Sequence, residues 1–133
     1  MNKDKEADFD RVAARYTRIL SALEDGREAI QKPENWIKGG KWNALDKDGQ
    51  PCVPYSAEAC RWTAGAAGGA KDGGGGLMAE EYLAKASGFR GDSYTAVAAW
   101  EEHPQTSHSD VLAGFDKAIL LAEAEAGRFF LTY

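Results

Sequence analysis

The sequence predicts an all-α domain of about five helices packed around a central helix of small residues. Three observations carry that prediction. Apolar residues recur at three- and four-residue spacing over most of the chain. Glycine, proline and Asp-Gly or Ser-rich stretches divide that periodicity into helix-length segments. Neither internal repeats nor an alternation of strand-like and helix-like segments is present to suggest a nucleotide-binding fold.

Residues 1–8 are charged and expected to be frayed. From Phe9 onward, Phe9, Val12, Ala13, Tyr16, Ile19, Leu20 and Leu23 form one apolar face, with Arg11, Arg15, Arg18 and Glu24 between them. Gly26 is expected to end or bend this helix, and Pro33 stops the pattern. The next stretch, 36–53, is expected to be an irregular arm or short hairpin. It contains Trp36, Gly39, Trp42, the turn dipeptide Asp48-Gly49 and Pro51. Trp36 and Trp42 are expected to fold back over the core as a lid.

Tyr55 to Ala70 is expected to be the central helix, with Ser56 as its cap and Glu58 in its first turn. Ala59, Cys60, Thr63, Ala66, Ala67 and Ala70 would give it a small-residue face that neighbours approach closely. KDGGGG at 71–76 is expected to be a flexible loop. A helix at Leu77–Ser87 then turns Met78, Tyr82, Leu83 and Ala86 inward and stops at Gly88. Asp92 or Ser93 caps the next, Tyr94–Glu102, which His103-Pro104 ends. The last helix carries Val111, Leu112, Phe115, Ala118, Ile119 and Ala122 on its core face and is expected to end at Gly127. The tail RFFLTY is β-prone and apolar, suited to docking on the body or on a partner.

A chain of 133 residues, 44% of them apolar, suits a single domain with its own core. A net charge of −5 argues against nonspecific binding to nucleic acid or to an anionic membrane surface. Acidic residues occur in pairs, Glu80-Glu81 and Glu101-Glu102 among them, as on solvated helix faces. Two cysteines make no disulfide framework, the N-terminus has no signal-like apolar segment, and no apolar run approaches the ~20 residues of a membrane span. The expected setting is the cytoplasm, with reduced thiols.

The familiar chemistries each lack a residue. Gly65 is followed by Ala70, Lys71 and Asp72, so a phosphate loop would be missing its second glycine and its hydroxyl. His103 and His108 have acidic neighbours but not the spacing of a zinc helix, and Asp46-x-Asp48-Gly49 lacks the remaining calcium-loop positions. Cys60 on an alanine-rich face suits packing better than nucleophilic catalysis, while Cys52 sits in a proline-flanked turn. No catalytic residue, metal or cofactor is therefore expected, and the non-enzymatic alternative is preferred. The four tryptophans are numerous for this length, and exposed tryptophan in a loop is what a binding hot spot uses.

Trp36 and Gly39 in the arm precede Cys60, Trp62 and Gly65-Ala66, then Trp100-Glu101-Glu102-His103-Pro104 and Ser107-His108-Ser109-Asp110-Val111. In these motifs the chain, from Asp8 to Ala122, resembles a family of small bacterial and phage proteins known only as a domain of unknown function. Cys and Trp are displaced relative to that family's central helix, and Glu101-Glu102 stand where it has Asn-Asp. The resemblance implies a phage or prophage setting and carries over no catalytic residue.

The function expected from the sequence is that of a small acidic helical protein that binds another protein, a host or defence protein in a phage setting. Its candidate contacts are Trp36, Trp42, Trp100, His103, His108, Phe129 and Phe130. Two alternatives remain. One is an enzyme or ligand-binding domain with a pocket between the arm and the central helix, using His103, His108 or Cys52. The other is a homo-oligomer subunit joined through FFLTY.

Overall fold

The computed structural model describes residues 3–39, 43–69 and 77–132; Trp42, Ala70 and the loop expected at 71–76 lie outside them. The fold is all-α. Helix α1 spans Lys3–Ala29, so Lys3–Asp8 form its exposed first turns. Gly26 does not end it. A Cβ there would lie 2.8 Å from the Ala67 carbonyl oxygen, so the glycine lets a second helix backbone cross α1 directly.

A single 3₁₀ turn, Pro33–Asn35, leads into the arm. Strand β1 (Ala44–Leu45) pairs antiparallel with β2 (Arg61–Trp62), Ala44 opposite Trp62 and Leu45 opposite Arg61. Trp36 makes an isolated bridge to Trp62, with Ile37 N donating to Trp62 O at 2.8 Å. The short hairpin expected here closes at Asp46–Gln50. Asp46 Oδ1 accepts from the amides of Asp48 and Gln50, both at 2.9 Å, and Gly49 adopts φ 78°.

The central helix is much shorter than the sequence suggests: α2 spans only Ala64–Gly69. Tyr55–Trp62 are turns and a strand, because their backbone groups bond elsewhere. Cys60 N donates to Leu45 O at 3.0 Å and Trp62 Nε1 to Pro54 O at 2.9 Å. Ser56 donates to Val53 O instead of capping a helix, and Thr63 takes the position ahead of α2, its carbonyl accepting from Ala67 N. Cys60 is accordingly half-buried in a loop, not packed on a helical face. What remains of the helix keeps the expected place: Ala64, Ala66 and Ala67 are buried between α1 and the helices that follow.

Helix α3 (Leu77–Ser87) stops before Gly88 at φ 75°. Helix α4 (Ser93–Glu102) is capped by Asp92, whose side chain accepts from Thr95 N at 2.8 Å. Helix α5 spans His108–Thr132 and passes through Gly127, so Arg128–Thr132 of the tail expected to be β-prone are helical. Aromatic packing holds it there: Phe9 of α1 lies 5.8 Å from Phe129 and 5.4 Å from Phe130 between ring centroids. Leu23, Leu83, Val97, Val111 and Phe115 close the core between α1, α3, α4 and α5. Among the described residues no helix is long and apolar enough to cross a membrane.

Candidate functional site

Glu101 is the polar centre of the molecule, although its sequence pairing with Glu102 suggested a solvated face. Its side chain is 1% exposed. Positions 97, 100 and 101 share the inward stripe of α4, which places a carboxyl group beneath the arm and at the start of α2. Glu101 Oε1 accepts from Trp36 Nε1 at 2.8 Å and from Ala64 N at 2.6 Å. Three elements distant in sequence are thereby joined at one atom. Burial pushes the Glu101 pKa up to about 8, against the opposing pull of the Ala64 amide, the Trp36 indole, the Gly65 amide and the Lys38 charge.

Lys38 completes the junction. Its Nζ donates to the carbonyls of Glu101, His103 and Thr106 at 3.1, 2.9 and 2.7 Å. An ammonium group at those carbonyls satisfies the C-terminal end of α4 and the turn after it. His108 bonds through Nε2 to Ile30 O at 2.6 Å, and its ring lies 5.8 Å from that of Trp36. Of the candidate residues from the sequence, Trp36, Trp100, His103 and His108 thus converge on the α4–α5 turn. Trp36 is half-buried with its indole N–H satisfied, which makes it an anchor of the arm.

On the far side of the α4–α5 turn lies an open cavity of about 460 Å³. Trp100, His103, Phe89, Gly114 and Lys117 contribute to its wall. Phe129 and Phe130 belong to neither place; they pack with Phe9 near the other end of α5. Beside them Tyr16 and Tyr82 both donate to Glu125, to Oε1 at 3.2 Å and Oε2 at 2.9 Å, clasping α1 and α3 to α5.

Glu80 is the second buried acid that the sequence pattern disguised. It is 2% exposed, and its Oε2 has no hydrogen-bond partner among the described residues. Burial, helped by the charge of Asp92, pushes its pKa up to about 7. One signal did exist for both acids: Glu80 stands three residues before Leu83, and Glu101 four after Val97, so each falls on an apolar stripe.

A family model matches residues 14–121, and the chain belongs to that family, described as a family of unknown function (DUF6197). The match takes in the arm, α2, α3, α4 and the whole Glu101 junction, and leaves out the last turns of α5. No curated protein and no solved structure shows significant similarity to the chain.

Proposed function

We propose that this member of the family is a small acidic helical protein-binding protein and that it recognises its partner through the outer face of α5. The observation that carries this reading is a stripe of four exposed residues, Leu120, Ala124, Gly127 and Leu131. Leu120 is 67% and Leu131 89% exposed, on the side of α5 opposite the buried Phe115 and Ala122. Spacing of four, three and four residues makes a straight seam of the kind a partner helix fills. Alanine and glycine in its middle allow close approach, and Phe130, 44% exposed, widens it. One exposed leucine is unremarkable on a soluble surface; an aligned apolar seam is the mark of a contact.

The occupant that fits is an amphipathic helix of another protein. The seam is about 16 Å long at 1.5 Å per residue, the reach of about three turns of a partner helix. A net charge of −5 opposes self-association. A cytoplasmic setting, and a host or defence protein as the target of a phage or prophage product, belong to the same proposal and rest on the family resemblance.

Affinity capture from the native host, with mass spectrometry, tests the reading. The Leu120→Glu, Leu131→Glu double variant is expected to keep the wild-type melting temperature to within a few degrees, since both side chains face outward. It is expected to lose the captured partner. Capture of the same partner at the wild-type level would overturn the proposal.

A further inference from the structure

The cavity beside Trp100 is a separate feature, and from it we infer that the cleft between the C-terminal ends of α3 and α4 and the first half of α5 binds a small planar aromatic carboxylate. Its volume of about 460 Å³ falls in the range of small-molecule pockets. Its apolar wall is built from Phe89, Ala113 and the edge of Trp100. The indole reaches that place only because residue 114 is glycine: a Cβ there would lie 2.5 Å from Trp100 Cη2.

The polar groups are set for an anion. His103 stands edge-on to Phe89, with ring centroids 6.0 Å apart and planes at 73°. Its Nδ1 accepts from Gln105 N at 3.2 Å, which in the neutral ring puts the proton on Nε2 and makes that nitrogen a donor. Lys117 lies one turn beyond Ala113 and Gly114 and makes no ion pair among the described residues. Asp110 is the acid of the cleft, but it is committed locally. Asp110 Oδ2 accepts from Ser107 N at 2.9 Å while Ser107 Oγ accepts from Asp110 N at 3.2 Å, a reciprocal cap at the start of α5. The helix end holds the Asp110 charge, leaving the Lys117 ammonium as the uncompensated one. One ammonium and one neutral N–H donor match a monoanionic carboxylate better than a dianionic phosphate. Phe89 and Trp100 take the ring that carries it.

The test uses the full chain, isotope-labelled for NMR, with indole-3-acetate as the probe. Indole-3-acetate is expected to shift the Trp100 indole and His103 ring signals saturably, while tryptamine and adenosine 5′-monophosphate leave them in place. Lys117→Met, at an exposed position, is expected to weaken binding by about tenfold, the loss of one charge-assisted hydrogen bond. Ala113→Glu, which sets a like charge in the cleft, is expected to abolish it. The Leu120→Glu, Leu131→Glu variant should bind the probe normally, so the cleft and the outer face of α5 stand or fall separately. Absence of a saturable shift at Trp100, an equal response to tryptamine, a stronger response to the nucleotide, or full affinity in Lys117→Met would each overturn the inference.

Discussion

Glu101→Ala is expected to lower the stability of the domain by about 3–5 kcal/mol, the largest effect of any single polar substitution in it. The substitution leaves the Trp36 indole N–H and the Ala64 amide without their acceptor and opens a void where the side chain was. With a total stability on the order of 5–15 kcal/mol, the melting temperature should fall by roughly 10–20 °C. Glu101→Gln keeps an oxygen for both donors and should cost distinctly less. A melting curve for Glu101→Ala that coincides with wild type would contradict the role given to this residue.

The same carboxyl group sets a pH dependence whose sign is unusual for an acid. Its folded pKa of about 8 lies above the value of ~4.3 for an unfolded glutamate. Between those values the folded chain holds a proton that the unfolded chain has released. The stabilisation is therefore complete below pH ~4 and is lost as the pH rises through about 8. Glu80, with a pKa of about 7, acts in the same direction over a narrower window. Each group adds a decline of up to about 1.4 kcal/mol per pH unit. Urea unfolding between pH 5 and pH 9 should show wild type losing stability and Glu101→Gln losing it less steeply. Equal slopes in the two proteins would show that Glu101 does not titrate in this range.

The second large effect contrasts one substitution at two positions of α5. Gly114→Ala is expected to destabilise by about 1–3 kcal/mol, because its Cβ must displace the rigid indole of Trp100, only 7% exposed. Gly127→Ala meets nothing within 4 Å among the described residues and is expected to stabilise by about 0.5–1 kcal/mol through helix propensity. Chemical denaturation of the two variants beside wild type checks both signs. Equal shifts would mean that α5 does not pack against Trp100 at Gly114.

The sequence made much of this architecture legible, and where it did not, the causes are long-range. Periodic segments became α1, α3, α4 and α5, with Asp92 and Gly88 acting as the local cap and stop that they resemble. Tyr55–Trp62 misled because alanine signals helix propensity, whereas the pairing of Arg61-Trp62 with Ala44-Leu45 and the bond to Pro54 O are set from outside the segment. Gly127 suggested a helix end because an interior glycine costs about 1 kcal/mol. The packing of Phe129 and Phe130 on Phe9 offsets that cost from a helix more than a hundred residues away. Trp36 illustrates the same gap at the site. Its place in the arm suggests an indole folded back over the core, as it is, but not the buried carboxyl group of Glu101 that receives its N–H.

The division between an inward-facing arm and an outward-facing α5 is the core of the functional account, and site-specific photo-crosslinking probes it directly. A benzophenone side chain placed at Glu123, exposed at the edge of the seam, is expected to crosslink the partner captured from the host. One placed at Glu34, on the exposed turn that leads into the arm, is expected not to. Crosslinking from Glu34 and none from Glu123 would place recognition on the arm and contradict the account.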